Sequence, residues 1–223
     1  MFHLILQVLL ETDIPRIRLA SVEPWDLPES FLTLFSNNKL MPHMHLPLQS
    51  GSDSVLRRMA RRCKTNDFRT LVSTLRNEIE NFNLTSDIIV GFPGETKEEW
   101  QESLEFIEEI GFSHIHIFTY SSREGTKAAT LPNAVAPDIK KKRSRELHML
   151  AGKMRHQFLS QYIGQIHSVL WESQNNNKWV GYTDNFIRVE MNTPCTENLE
   201  NRISDVRVTG LNNHADQCIV ELL

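Results

Sequence analysis

Thr85-Ser-Asp-Ile-Ile-Val-Gly-Phe-Pro-Gly-Glu-Thr96 carries a strand, a turn and the start of a helix in one short run. The apolar Ile-Ile-Val stretch, bounded by turn residues, reads as a strand. Gly91, Pro93 and Gly94 then form a tight connection. Thr96 followed by Glu99 is a capping-box pair, which predicts a helix over about 96–110. Gly111 is placed to end that helix. His114-Ile-His-Ile-Phe-Thr-Tyr120 reads as the next strand. Strand, helix and strand in this order form a parallel crossover unit.

The same alternation extends upstream. The first dozen residues place Phe2, Ile5, Leu6, Leu9 and Leu10 near one helical face, and Pro15 ends that helix. Arg16–Val22 reads as a strand. Pro24 and Pro28 frame a turn, and 28–37 reads as a helix. His43–Gln49 is a second strand, interrupted near its end by Pro47. Helices follow at about 53–60 and 66–82. The expectation is therefore an α/β fold with a parallel sheet or partial barrel. Downstream, 121–136 reads as a loop and 137–163 as a long helix. After Gly164 the pattern alternates and is rich in Val, Ile and Thr over 166–172, 178–191 and 203–222. That predicts a small antiparallel β-barrel, with a domain boundary near 160 and units of 1–160 and 161–223.

Composition sets outer limits. The 223 residues are 40% hydrophobic and 23% charged, as in a water-soluble globular chain. No apolar run reaches the roughly 18–20 residues of a membrane span. The apolar start lacks a basic flank and a small-residue cleavage site, so the expected location is the cytoplasm, with no membrane partner. A net charge of −4 argues against coating nucleic acid by bulk charge, while leaving room for a local basic patch. Cys63, Cys195 and Cys218 are far apart and form no CxxC pair. Neither a disulfide scaffold nor a closed zinc site is expected from them.

In a parallel barrel, chemistry gathers at the C-terminal ends of the strands. Those ends here are Ser21-Val-Glu-Pro24, Gln49-Ser-Gly-Ser52, Gly91-Phe-Pro-Gly-Glu95 and Tyr120-Ser-Ser-Arg123. Four polar ends in one rim predict a ligand site. The strand end before Gly91 could offer backbone N–H and C=O to the edge of an adenine. Strand parity adds that His43 and His45 face the same way as Gln49, and Ser21 the same way as Glu23.

Four segments carry a resemblance. They are Arg16–Pro24; His45–Asp53 with Leu56-Arg-Arg-Met59 and Arg61; Ser86–Thr96; and Phe118–Ser121 with Arg123, Gly125 and Thr126. In this order they resemble the later half of the methylthiotransferase branch of radical S-adenosylmethionine enzymes. The resemblance implies the last four strands of a radical SAM barrel, followed by a TRAM-like RNA-binding β-barrel. It implies S-adenosylmethionine as cofactor and tRNA as partner. Within that branch, the strands His114-Ile-His-Ile-Phe118 and Met41-Pro-His-Met-His-Leu46 most resemble the bacterial enzyme that modifies N6-threonylcarbamoyladenosine at tRNA position 37, with the isopentenyladenosine enzyme next. The implied reaction inserts sulfur at C2 and methylates it. One S-adenosylmethionine donates the methyl group, and a second is cleaved to a radical that takes the C2 hydrogen.

Carried over, Ser21 and Glu23 would line the cofactor site, Gln49, Ser50 and Arg61 would form its polar wall, Val90, Gly91 and Phe92 would frame the adenine, and Tyr120 and Ser121 would close the last strand end. The family also implies [4Fe–4S] clusters bound by a CxxxCxxC motif and by an N-terminal domain. This sequence has no such motif, and its three cysteines cannot replace the thiolate ligands. The expectation is a chain that lacks two earlier barrel strands, is inactive alone and is completed by a missing N-terminal half.

Rival readings remain. His43-x-His45 and His114-x-His116 each put two imidazoles on one strand face, which suits zinc in a metal-dependent hydrolase. No carboxylate is evident at their level, both pairs sit early in their strands, and no metal ligand is assigned. The basic run Lys140, Lys141, Lys142, Arg143 and Arg145, with Lys153 and Arg155 beyond, is either a solvated helix face or a phosphate-contacting surface. Trp171, Trp179, Tyr182 and Phe186 are either barrel core or the stacking surface of a pure RNA-binding module.

Overall fold

The computed structural model describes residues 2–27, 29–195 and 197–223. The opening stretch forms β3 (Asn83–Val90), α4 (Lys97–Ile110) and β4 (His114–Thr119). The capping box is complete: Glu99 N–H donates to Thr96 Oγ1 at 3.2 Å, and Thr96 N–H donates to Glu99 Oε2 at 2.9 Å. Gly111 closes α4 in the left-handed region at φ 65°. Trp100, Phe106, Ile107 and Ile110 recur at helical spacing and are buried against the sheet.

Before this unit come α1 (Phe2–Leu10), β1 (Ile17–Leu19), β2 (Leu40–His45), α2 (Asp53–Arg58) and α3 (Thr65–Glu78). The four strands pair in the order β1-β2-β3-β4, all parallel. β1 is shorter than the predicted Arg16–Val22. Ser21 takes φ 45°, a left-handed geometry that cannot continue a strand. The helix expected over 28–37 is a 3₁₀ segment, Glu29–Ser36. Thr33 and Ser36 hydroxyls bond the carbonyls three residues back, at 2.7 Å each, and compete with the α pattern. Pro28 of the expected turn lies outside the described residues.

The sheet is two-faced. Met44, Leu84, Ser86, Ile88, Val90 and Ile115 point towards the helices, and all but Ser86 belong to the main core. The alternate residues His43, His45, Thr85, Asp87 and His116 line the opposite, concave face.

Helix α5 (Pro137–Ser160) leads to β5 (Ile166–Asn175), β6 (Lys178–Thr183), β7 (Arg188–Met191), β8 (Ile203–Leu211) and β9 (Cys218–Leu222). These close in the order β5-β6-β7-β9-β8. The barrel is not wholly antiparallel, because β7 and β9 run parallel. The run 178–191 breaks at Asp184-Asn-Phe186, where Phe186 adopts φ 65°. Val169, Trp171, Val189, Val206, Cys218 and Val220 fill the barrel completely.

The barrel is pinned to the start of β3 and to β1. Asn83 Nδ2 donates to Asn185 O at 2.7 Å, and Asn185 Nδ2 donates to Asn81 O at 3.1 Å and to Tyr162 Oη at 2.8 Å. Arg16 Nη2 donates to Ser168 O at 2.9 Å. The loop carrying Phe186 therefore sits against the N-terminal end of the sheet's concave face.

Candidate functional site

A cavity of about 840 Å³ lies between the concave face and the barrel. β2 contributes His43 and His45, β3 contributes Asn83, Thr85 and Asp87, and β4 contributes His114, His116 and Phe118. Three arginines also border it: Arg18 from β1, Arg155 from α5 and Arg188 from β7. This constellation joins two units that sequence separates.

Thr85 organises its centre. Its Oγ1 lies 3.1 Å from His43 Nε2 and 3.0 Å from His45 Nδ1, so one hydroxyl orients both rings. His45 Nε2 faces Asp87 Oδ2 at 3.3 Å. Burial, with the Arg18 guanidinium and His45 nearby, pushes the His43 imidazole down to about 3. His43 is therefore neutral at physiological pH, and its Nδ1 is buried with no hydrogen-bond partner among the described residues. Phe186 completes the wall. Its ring stacks on Tyr182 at 4.5 Å, meets His43 at 4.8 Å and carries the Arg18 guanidinium 3.8 Å above it.

The expected rim residues share one end of the sheet but do not enclose this cavity. Among them only Ser21 lines it. Glu23 is bound to Arg61 at 2.8 Å, and Arg61 also donates to Pro47 O at 3.1 Å. Gln49 sits at φ 74° and continues the pairing, with its N–H on Asp87 O at 2.8 Å. This left-handed turn ends the simple parity that grouped it with His43 and His45. Ser50 is fully buried and faces Ser103 of α4 at 3.3 Å, away from the concave side.

Val90 packs in the helix-side core, and its carbonyl accepts Tyr120 N–H at 2.9 Å. Gly91 N–H donates to Glu95 Oε2 at 2.9 Å. Two backbone groups expected to meet an adenine are thus already bonded internally. Phe92 packs edge-on against Tyr120 at 5.2 Å. Tyr120 Oη is buried with no partner among the described residues, and Ser121 is exposed.

The basic run divides. Lys140 donates to Tyr120 O at 3.1 Å, and its chain covers Gly91 so closely that an added Cβ would lie 2.5 Å from Lys140 Cγ. Arg143 is buried, donating to Glu95 Oε2 at 2.7 Å and to Thr96 O at 3.0 Å. It holds the glycine turn and is not free for phosphate. Burial raises the Glu95 carboxyl, against the pull of Arg143 and the Gly91 N–H. Lys141, Lys142 and Arg145 are exposed, and Lys140, Lys141 and Arg145 border a shallow groove with Thr119 and His148. Trp171 and Trp179 belong to the barrel core, whereas Tyr182 and Phe186 face the cavity.

Asp87 was missed as a partner for the histidine pairs. Its signal was the alternation Thr85, Asp87 along β3: Asp87 pairs with His116 of β4, and Thr85 pairs with His45 of β2. Arg18 and Arg188 left no signal, since only the packing of barrel on sheet brings them together.

The cysteines do not form a cluster site. Cys218 lies in the barrel core and Cys63 precedes α3, and burial raises their thiols to about 12 and about 11. Cys195 lies beyond β7. The thiolates an iron–sulfur cluster needs are not brought together by the described residues.

Comparison with known proteins accords with this arrangement. Residues 2–107 match the profile of the Radical SAM superfamily, whose members use S-adenosylmethionine and a [4Fe–4S] cluster. A tRNA-2-methylthio-N(6)-dimethylallyladenosine synthase of Staphylococcus epidermidis is 37% identical over 81% of this chain and 36% of its own length. Threonylcarbamoyladenosine tRNA methylthiotransferase MtaB of Bacillus subtilis is 34% identical over 87% of this chain and 44% of its own. The chain thus spans less than half the length of the curated relatives it matches. In fold it resembles coproporphyrinogen III oxidase (HemN) of Escherichia coli, with a TM-score of 0.52, 17% identity, and coverage of 61% of this chain and 32% of that one. A parallel sheet backed by helices, a superfamily match across its first strands and relatives of one kind over most of its length together show that the chain belongs to the radical S-adenosylmethionine tRNA methylthiotransferases.

Proposed function

We propose that this chain forms the substrate-facing part of an enzyme that methylthiolates C2 of N6-threonylcarbamoyladenosine at tRNA position 37. The observation that carries the reading is the set of Arg18, Arg155 and Arg188 around one cavity with His43, His45 and Asn83. A threonylcarbamoyl group bears a carboxylate, a hydroxyl and a urea, which such a wall can meet with charged and neutral hydrogen bonds. An isopentenyl group is apolar and would leave those donors without partners. The isopentenyl reading is kept as the alternative, supported by the Staphylococcus relative's name.

In this reading residues 1–160 are the last strands of a radical SAM barrel, and 161–223 are a TRAM-like barrel that holds tRNA. Exposed Lys141, Lys142 and Arg145 meet phosphate, and Tyr182 and Phe186 face a nucleobase across the cavity. The strand-end rim is the S-adenosylmethionine side, where the unpartnered Tyr120 hydroxyl suits a ligand. S-adenosylmethionine supplies, when bound, the methyl group and a 5′-deoxyadenosyl radical. Ser21, Gln49, Gly91, Phe92, Tyr120 and Ser121 would bind and orient it. Glu23 and Arg61 hold one side of this rim, while Val90, Ser50, Glu95 and Arg143 hold its backbone in place. No step is assigned through a cluster, because the thiols here do not fit one. Among the described residues no helix is long and apolar enough to cross a membrane; the cytoplasmic location in this reading rests on the tRNA substrate.

The test is binding of anticodon stem–loops that differ only at position 37. The threonylcarbamoyl form should bind at least about tenfold more tightly than the isopentenyl form, and Arg18→Gln with Arg188→Gln should remove that preference. Equal binding of both forms, or a preference that survives the double substitution, would overturn the assignment.

A further inference from the structure

We propose that His45, Asp87 and His116 form a binding site for one divalent transition-metal ion, of which zinc is the representative probe. The three residues come from β2, β3 and β4 and are neighbours on the concave face: Asp87 pairs with His116, and Thr85, two residues before Asp87, pairs with His45. Their ligand atoms all fall within 4.8 Å of one another. Two imidazoles and one carboxylate are a donor set that zinc accepts, with remaining positions open to water or substrate. This inference stands on geometry alone and does not depend on the tRNA reading.

The separation of the first two ligands is informative. Donors about 2.0–2.1 Å from a tetrahedral ion lie roughly 3.3 Å from each other. His45 Nε2 and Asp87 Oδ2 are 3.3 Å apart. The other ring nitrogen of His45 is bonded to Thr85 Oγ1 at 3.0 Å. A hydrogen bond there fixes the ring and directs the Nε2 lone pair outward, as the outer partners of metal-bound histidines do. His116 is the most accessible member. It is exposed, on the edge strand, and its ring packs against His114 at 4.6 Å. A change of side-chain rotamer closes the remaining gap without moving the sheet.

Burial grades across the set: His45 is buried, Asp87 intermediate and His116 exposed. An ion can therefore enter from the cavity and keep an open coordination position towards it. Arg18, Arg155 and Arg188 border the same space and oppose a cation, whereas Asp216 offsets them. The open position faces these arginines, so an anionic oxygen donor is its natural occupant. A carboxylate opposite the two imidazoles, lacking from the sequence reading of the histidine pairs, is what turns them into a site.

The experiment titrates zinc into the metal-stripped 223-residue chain against a chromophoric chelator, with cobalt(II) as a spectroscopic substitute. The expected result is one ion per chain, with affinity lowered at least tenfold by Asp87→Asn and again by His116→Gln. His116 lies on an exposed edge, so its variant reports binding even if changes nearer the core disturb folding. Cobalt should show a tetrahedral nitrogen–oxygen spectrum without a thiolate charge-transfer band. Failure to bind, binding unchanged in both variants, or a thiolate band that vanishes in a Cys63→Ser, Cys195→Ser, Cys218→Ser chain would each overturn the site.

Discussion

The strand-end rim and the concave face are built from the same four strands, but most charged groups of the rim are paired with one another, whereas the arginines of the concave face border open space. At the rim, Glu95, Arg143, Glu23, Arg61 and the Gly91 N–H are bonded to one another or to nearby backbone. On the concave face, His43 Nδ1 has no partner among the described residues, and three arginines line open space. A polar group that satisfies itself internally shapes a loop, and one left facing a cavity is available to a ligand. The same strands thus serve as scaffold at one level and as candidate site at another.

Substitutions separate the two roles. The largest expected effect is at the rim. Arg143→Ala leaves the buried Glu95 carboxylate uncompensated and should cost about 3–5 kcal/mol in urea unfolding. Replacing both partners with apolar residues should recover much of that loss. A cost below about 1 kcal/mol for the single change would show that the pair is not a structural anchor.

Next is the junction. Asn185→Ala removes bonds to Asn81 and Tyr162 and should cost about 1–3 kcal/mol, with faster amide exchange at the start of β3. Unchanged exchange there would mean that barrel and sheet hold together by other contacts. Thr96→Ala removes the cap of α4 and should cost about 1 kcal/mol in thermal melting. At the outer rim, Glu23→Gln weakens a partly exposed ion pair and should cost about 0.2–1 kcal/mol.

The smallest stability effect is expected on the concave face. Asp87→Asn should change unfolding free energy by no more than about 0.5 kcal/mol while altering ligand binding. A large loss of stability there would erase the distinction between the two levels and make Asp87 a structural residue.

The legible parts were those set by neighbours in sequence. Thr96, Glu99 and Gly111 mark both ends of α4. Misreadings arose where distant groups intervene. Arg143 belongs by sequence to an exposed basic run, yet Glu95 draws it inside. Gln49 shares strand parity with His45 until a left-handed residue turns the chain. The loop between β6 and β7 looked continuous, because the break at Phe186 depends on packing against Arg18 and His43.

Sequence by itself determined the alternation of strands and helices, the caps that delimit them and the change to β-rich pattern after Gly164, since hydrophobic period and turn chemistry act over a few residues. Tertiary structure alone decided that Arg18, Asp87, His116 and Phe186 surround one space. Their approach follows from strand register and from the docking of the barrel, which are set by packing between segments far apart along the chain.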